Sequence, residues 1–190
     1  IYTLSLHDAL PISTSTALQC IQKLRDTASS HERLFIVEVM GRNAGFLALE
    51  AAVAAGAECV LIPEVDLDLD SLCEKLNYAR SRGKSHSLIV LAEGVASASD
   101  LASRLKDTGG YDARITVLGH IQRGGSPSSF DAVLASRLGG GAVEALLRGE
   151  SGVMVGRICG KIVTTPLQDA WERKKALDAD MMSLVDILGI

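Results

Sequence analysis

Short apolar runs alternate with longer amphipathic segments from Ser15 onward. Runs this short and apolar predict buried strands, and the segments between them predict helices. Near-continuous apolar strands separated by helices are typical of a parallel sheet covered on both faces, so the pattern predicts a doubly wound, mainly parallel α/β fold. The predicted strands are 34–39, 59–62, 87–92 and 114–118, and the predicted helices are 15–26, 43–55, 69–82 and 99–106.

The pattern changes beyond Pro127, where one long apolar-rich helix is followed by a short strand pair and two terminal helices. Three consecutive glycines at 139–141 lie in the long helix and cost about 1 kcal/mol each relative to alanine, so a break is allowed there. The predicted elements of this region are helices 130–147, 167–173 and 178–188 and strands 153–158 and 161–164 around Gly160.

Composition and charge narrow the class of protein. The 190 residues are 47% hydrophobic and 22% charged, which is typical of a soluble globular protein. A net charge of -4 and 4% aromatic residues argue against a nucleic-acid partner, and no apolar run approaches the roughly 18 residues of a membrane span. Scattered cysteines without CxxC spacing predict free thiols in a reducing compartment, and the cytoplasm is the expected location. The cysteines are Cys20, Cys59, Cys73 and Cys159.

The first residues differ from the rest of the chain. Residues 1–12, IYTLSLHDALPI, lack an initiator Met and any periodicity that continues into the next segment. One reading frame of a widely used short-read sequencing adapter can encode them. We therefore predict that residues 1–14 are a non-native leader, and the fold is inferred from residue 15 onward.

The most informative stretch is LGHIQRGGSP, residues 118–127, which follows a predicted buried strand. It places His120 and Arg123 at the strand end, and Gly124 and Gly125 then allow a tight turn in which the backbone approaches a ligand. A guanidinium, an imidazole and free backbone N–H groups are the groups that bind phosphate. The alternative is a strand–loop–helix corner in which the histidine and arginine are merely solvated.

Two other predicted strands also end in candidate ligand-binding residues. Met40, Gly41 and Arg42 follow the first strand, where the glycine permits close backbone approach and the arginine can neutralise an anion. Glu93 follows the third strand and could accept hydrogen bonds from sugar hydroxyls or act as a base. Ligands of parallel sheets collect at the carboxyl ends of the strands, so these residues and His120 and Arg123 are expected to lie near each other.

Further charged residues lie elsewhere on the predicted fold. Arg33 and Arg114 stand at strand starts, the opposite end, and could join the site only from another subunit of a symmetric oligomer. The alternation Asp66, Asp68, Asp70 lacks the glycine and distal glutamate of a calcium loop and predicts a helix-capping turn instead. A second group of charged residues at element borders is either solvated or part of a second ligand site: Arg25, Glu58, Arg82, Lys84 and His86.

Five segments, in both wording and order, closely resemble the bacterial 6-phosphofructokinase family over about residues 15–190. In that family the enzyme transfers the terminal phosphate of ATP, as its magnesium complex, to the 1-hydroxyl of fructose 6-phosphate in glycolysis. The segments are RDTASSHER (25–33), VEVMGRNAG (37–45), AEG (92–94), RITVLGHIQRGGSP (114–127) and LASRLG (134–139).

The resemblance implies substrate-binding roles at the strand ends. His120 and Arg123 match residues that hold the 6-phosphate of the sugar, and Glu93 matches a carboxylate that binds sugar hydroxyls. The segment 40–42 matches one that packs on the sugar, and its Arg42 matches the catalytic cation that reaches toward the transferring phosphate.

Other roles implied by the resemblance involve subunit contacts and regulation. Arg33 and Arg114 match arginines donated across an interface of a homotetramer to the neighbour's 6-phosphate. An allosteric effector binds in many bacterial members at positions that match Arg25, Glu58, Arg82, Lys84 and His86.

The family's GGDGS-like nucleotide loop and TIDND-like segment, which carries the catalytic aspartate and metal contacts, do not occur in this sequence. The resemblance thus implies that 15–121 and 172–190 form a fructose 6-phosphate-binding domain, and that 122–171 is part of an incomplete ATP-binding domain with exposed apolar surface. Sites for Mg²⁺ and ATP are expected outside this chain, which alone is expected to be inactive. The alternatives are a non-catalytic sugar-phosphate-binding module, a fragment of a pyrophosphate-dependent phosphofructokinase, and an unrelated Rossmann-like domain, which the lack of a GxGxxG motif disfavours.

Overall fold

The structure is a computed structural model that describes residues 10–28, 33–84, 86–172 and 176–189. It contains two compact units: a sheet unit, Ser13–Gly124 with Leu177–Ile190, and a hairpin unit that includes Gly125–Ala176. Residues 1–9 of the predicted leader and residues 29–32 of the RDTASSHER motif lie outside the described residues.

The sheet unit is an α/β fold whose strands all run parallel, in the order β2-β3-β1-β4. This confirms the predicted class of fold, and the predicted order of helices and strands is observed. The elements are α1 Leu10–Ala28, β1 Arg33–Val39, α2 Phe46–Ala55, β2 Cys59–Leu61, α3 Leu69–Ser81, β3 His86–Ala92, α4 Ala98–Gly109, β4 Ala113–Val117 and a 3-10 helix over Gly119–Arg123. The last helix of the chain, α7 Ala179–Leu188, also belongs to this unit.

Strand register brings three loops to one edge of this sheet. Val39, the last residue of β1, pairs with Ala92, the last residue of β3. On the other side of β1, Glu38 pairs with Val117 at the end of β4. The residues that follow these strands therefore emerge at the same level, as expected for the carboxyl edge of a parallel sheet.

Both faces of the central strands are buried. Ile36, Ile89 and Leu91 belong to one apolar cluster with Leu101 and Leu105 of α4. Side chains alternate along a strand, and the residues that point to the opposite face, such as Val37 and Val90, have 0% exposure. Continuous burial explains why β1 is apolar at consecutive positions from Leu34 to Val37, and β3 from Leu88 to Ala92, rather than at alternate ones.

Local sequence signals set the helix starts. Asp68 caps α3, because its Oδ1 accepts from the backbone N–H of Asp70 at 3.0 Å and of Ser71 at 3.3 Å. This confirms the capping turn predicted from the aspartate alternation. Ser97 caps α4 in the same way by accepting from the N–H of Asp100 at 3.1 Å.

The hairpin unit contains α5 Ser129–Leu147, the antiparallel strands β5 Val153–Ile158 and β6 Lys161–Pro166, and α6 Leu167–Glu172. α5 is continuous, so the break that its glycines allow does not occur. A Cβ added at Gly141 would come within 2.6 Å of Ile162 Cγ2 and 3.2 Å of Val155 Cγ1, and close packing on the hairpin therefore needs a glycine there. Contacts with β5 and β6 offset part of its helix-propensity cost.

Large apolar side chains of the hairpin unit are exposed. Leu146 is 72% exposed and Leu147 is 82% exposed, and both lie at the end of α5. Other exposed apolar residues of α5 are Phe130, Val133 and Val143.

Cys20, Cys59, Cys73 and Cys159 are free thiols. Burial raises the pKa of the Cys59 thiol to about 12. Within the described ranges, every helix is too short or too polar to cross a membrane.

Candidate functional site

The site lies where the loops after β1, β3 and β4 meet. The sheet pattern continues for one residue beyond the strands, because Glu93 N–H donates to Val39 O at 3.0 Å and Leu118 N–H donates to Glu38 O at 3.0 Å. These bonds fix the directions in which the loops leave the sheet. The convergence of loops expected from the sequence is therefore present in the fold.

The loop segment 40–42 is held by side chains from two neighbouring strand ends. Gly41 N–H and Arg42 N–H both donate to Glu93 Oε1, at 3.1 and 2.8 Å. Met40 N–H donates to Gln122 Oε1 at 2.9 Å. Three consecutive backbone N–H groups thus donate to a carboxylate oxygen and an amide oxygen. Glu93 therefore lies next to the 40–42 segment, as the order of the strand ends predicts.

The backbone here is both unusual and tightly packed. Arg42 has a positive φ of 51°, a conformation that non-glycine residues rarely adopt. Gly94 lies against it, since a Cβ at position 94 would overlap Arg42 O and come within 3.0 Å of Pro63 Cγ. The bonds from Glu93 and the absence of a side chain at Gly94 together allow this conformation.

His120 and Arg123 lie on the 3-10 helix that follows β4. Such a helix has three residues per turn, so residues three apart project from the same side. Both side chains are exposed, whereas Gln122 between them has 0% exposure. Helix α1 fixes the turn from beneath: Ser13 Oγ donates to Gln122 O at 2.7 Å, and Thr16 Oγ1 donates to Gly124 O at 2.9 Å.

The exposed cations of the site are not neutralised by neighbouring carboxylates. Among the described residues, the guanidinium groups of Arg42 and Arg123 form no salt bridge. Exposed guanidinium groups without a carboxylate partner favour an anionic ligand.

The two strand-start arginines lie at the other end of the sheet. Arg33 is the first residue of β1, and its side chain is outside the described set. Arg114 is the second residue of β4, is exposed, and pairs in register with Phe35 near the start of β1. One chain therefore does not bring them to His120 and Arg123.

A second cleft, of about 680 Å³, brings together most of the other charged candidates. Arg25 Nη2 donates to Gly56 O at 2.8 Å. Glu58 is buried, and its carboxylate binds Lys84 Nζ at 3.2 Å and the N–H of Leu88 at 2.6 Å. Arg82 is exposed and is not among the lining residues, which are Arg25, Asp26, Gly56, Glu58, Gly83, Lys84, His86 and Leu188.

A magnesium site would need a group of oxygen ligands. Across the described ranges no three His, Cys, Asp or Glu side chains come together in a way that could hold a metal ion. The described residues therefore do not fit the ion.

Reasoning from the sequence missed the parts played by Gln122, Gly94 and Ser13. The sequence pattern gives Gln122 no role of its own, although spacing on a 3-10 helix turns it away from both His120 and Arg123. Knowing that this turn is a 3-10 helix would have indicated an inward-facing glutamine. No local pattern indicates that Gly94 contacts Arg42, because that contact depends on the pairing of β1 with β3.

Fold and site define an α/β protein that presents cationic loops at the carboxyl edge of a parallel sheet. The phosphofructokinase family model matches residues 12–146. The chain belongs to this family.

Two bacterial 6-phosphofructokinases are similar to this chain in sequence. The chain is 49% identical to the ATP-dependent 6-phosphofructokinase of Clostridioides difficile over 189 residues, which is 100% of this chain and 58% of that protein. It is also 49% identical to that of Listeria welshimeri over 176 residues, 93% of this chain and 55% of that protein. The chain thus spans about half the length of the curated relatives it matches.

Solved structures share the fold. Phosphofructokinase from Saccharomyces cerevisiae superposes with a TM-score of 0.79 at 35% identity, covering 93% of this chain and 25% of that one. A pyrophosphate-dependent phosphofructokinase from Marinobacter aquaeolei gives a TM-score of 0.74 at 23% identity, covering 95% of this chain and 54% of that one. The predicted phosphofructokinase-like fold is confirmed.

Proposed function

We propose that this chain binds fructose 6-phosphate at the edge formed by the loops after β1, β3 and β4, as part of a 6-phosphofructokinase. The observation that carries the proposal is the hydrogen bonding of the 40–42 segment to Glu93 and Gln122, because it joins all three loops into one site. The names of the relatives supply the substrate class.

The proposed roles follow from charge and position. His120 and Arg123 project together and bind the 6-phosphate dianion, to which a charged hydrogen bond contributes about twice as much as a neutral one. Glu93 binds sugar hydroxyls with the acceptor capacity left after its bonds to the 40–42 backbone. Arg42 neutralises the phosphoryl group during transfer, a reaction that depends on positioning and charge stabilisation more than on covalent chemistry.

ATP and Mg²⁺ belong to the complete reaction. The relatives are ATP-dependent 6-phosphofructokinases, which favours ATP as the phosphoryl donor, and Mg²⁺ neutralises phosphate charge in this type of chemistry. Their binding is proposed to involve polypeptide beyond this sequence.

A homotetramer would complete the phosphate site. Arg33 and Arg114 lie at the strand starts, and in this proposal a neighbouring subunit contributes them to the 6-phosphate. We also propose that the protein is located in the cytoplasm, because its cysteines are free thiols and free thiols are typical of a reducing compartment.

The second cleft is proposed to bind a phosphorylated allosteric effector. Its lining carries the cations Arg25 and Lys84 and the imidazole of His86, although Glu58 partly neutralises Lys84 through a 3.2 Å contact. Arg82, at the end of α3, precedes the lining residue Gly83 and is proposed to approach the effector from there.

Calorimetric titration of the purified chain with fructose 6-phosphate tests the substrate. We expect saturable binding that Arg123→Met weakens about 10- to 100-fold, the effect of losing a charged hydrogen bond. Arg104→Met, at an exposed position of α4, serves as the matched control and should leave the affinity unchanged. Fructose should bind far more weakly because it has no phosphate. Equal affinity for fructose and fructose 6-phosphate would overturn the proposal.

A further inference from the structure

Gln122 is the completely buried residue of the candidate site. Its Oε1 accepts from Met40 N–H at 2.9 Å, and its backbone carbonyl accepts from Ser13 Oγ at 2.7 Å. One residue therefore joins the loop after β1, the turn after β4 and helix α1.

The side chain is chemically unexpected at such a buried position. Its Nε2 is buried and has no hydrogen-bond partner among the residues that the structure describes. Reversing the amide would place Nε2 against the Met40 N–H, donor against donor, so Oε1 must face Met40. A methionine would fill a similar volume without an unsatisfied donor. The presence of an amide is therefore explained by what its oxygen holds.

Among the residues that the structure describes, that oxygen makes the one side-chain bond between the 40–42 segment and the phosphate-binding turn. Glu93, after β3, holds Gly41 and Arg42, and Gln122 holds Met40. His120 and Arg123 belong to the same short 3-10 helix as Gln122, so a shift of Gln122 relative to Met40 changes the spacing between the proposed phosphate and sugar contacts.

We propose that Gln122 is a positioning residue that sets this spacing, so that one sugar phosphate contacts the 40–42 segment and His120 and Arg123 at once. The inference rests on the proposed function. It distinguishes two ligands: fructose 6-phosphate needs both sets of contacts, whereas inorganic phosphate needs only the turn.

The test compares Gln122→Met with Gln122→Glu, which keeps an acceptor oxygen in an isosteric side chain. Hydrogen exchange at the Met40 amide should accelerate at least about 10-fold in Gln122→Met, as expected for loss of its hydrogen bond. Affinity for fructose 6-phosphate should fall about 10-fold while that for inorganic phosphate stays within about twofold. Gln122→Glu should restore both values toward those of the unmodified chain.

Ser13→Ala is the matched control, because it removes the other hydrogen bond to Gln122 and leaves the Met40 contact in place. It should not change exchange at Met40. If Gln122→Met does not fold, Gln122→Asn replaces it, since the shorter side chain withdraws the oxygen from Met40 but keeps the amide.

Two outcomes overturn the inference. One is a folded Gln122→Met chain that binds fructose 6-phosphate as well as the unmodified chain does, and the other is equal loss of both ligands. Failure of the unmodified chain to bind fructose 6-phosphate is a separate result: it overturns the proposed function itself and, with it, the role given to Gln122.

Discussion

At the scale of single residues, the shape of the 40–42 segment depends on contacts from elsewhere in the chain. Arg42 has a positive φ of 51°, and the carboxylate of Glu93 and the bare backbone of Gly94 both lie against it. Neither contact is local in sequence. The backbone conformation of the proposed catalytic arginine is therefore determined by the loop after β3 as well as by its own loop.

Gly94→Ala should disrupt this arrangement. The added methyl would overlap Arg42 O, so Arg42 or the loop after β3 must move, and overpacking of this kind costs about 1–3 kcal/mol. We expect a lower melting temperature and at least about 10-fold weaker binding of fructose 6-phosphate, because the Glu93 bonds to Gly41 and Arg42 would be strained.

Gly139→Ala is the control for that substitution. Position 139 lies on α5 with nothing within 4 Å of an added Cβ, so the change should raise stability by up to about 1 kcal/mol and leave binding unaltered. Thermal unfolding and calorimetry measure both variants. Unchanged fructose 6-phosphate affinity in Gly94→Ala would show that the 40–42 backbone does not shape the site.

Individual residues also mark the limit of prediction from the sequence. Candidates such as Arg42, Glu93 and Arg123 were found because charged residues at strand ends are informative by themselves. Gln122 and Gly94 were not assigned roles, since their effect depends on which loops are neighbours across the sheet. The spatial order β2-β3-β1-β4 differs from the chain order, and local periodicity carries no information about it.

At the scale of elements, apolar runs and caps were sufficient to predict most helices and strands. Buried parallel strands need apolar side chains on both faces, which makes β1 and β3 easy to recognise. The three consecutive glycines of α5 suggested a possible break, but the helix is continuous. Their helix propensity is a local cost, whereas the contact of Gly141 with Ile162 of β6 is a tertiary gain that propensity scales omit.

Element borders also form the second cleft, and this makes its proposed effector site testable. Arg25, near the end of α1, reaches Gly56 O in the turn before β2. We expect the cleft to bind a phosphorylated ligand, for which ADP is the probe, and Arg25→Met to weaken that binding at least about 10-fold, because a cation beside the phosphates is lost.

Lys23→Met is the natural comparison for Arg25→Met, since Lys23 is exposed on the same helix and does not line the cleft. It should leave ADP affinity unchanged. Calorimetry with ADP measures all three chains. If ADP fails to bind, or if the two substitutions have the same effect, the cleft is not the effector site.

At the scale of the whole molecule, binding and turnover make different demands on the chain. The sheet unit contains a complete set of converging loops, with cations, a carboxylate and ordered backbone amides. The hairpin unit exposes Leu146 and Leu147 on α5. Sequence segments of the GGDGS and TIDND type, which the family resemblance links to nucleotide and metal binding, do not occur among the 190 residues.

We therefore expect the purified chain to bind fructose 6-phosphate but not to phosphorylate it with MgATP. Arg42 can stabilise charge on a phosphoryl group, but transfer also requires a group that orients the sugar hydroxyl and ligands that hold Mg²⁺ on the donor phosphates. A coupled assay for fructose 1,6-bisphosphate, run beside the Listeria welshimeri enzyme as a positive control, measures the turnover. Magnesium- and ATP-dependent product formation that disappears in Arg42→Ala would contradict this expectation, since it would show that the 190 residues contain a full catalytic set. Binding without turnover would instead show that this part of the fold binds the sugar phosphate, and that another part of the enzyme activates the sugar hydroxyl.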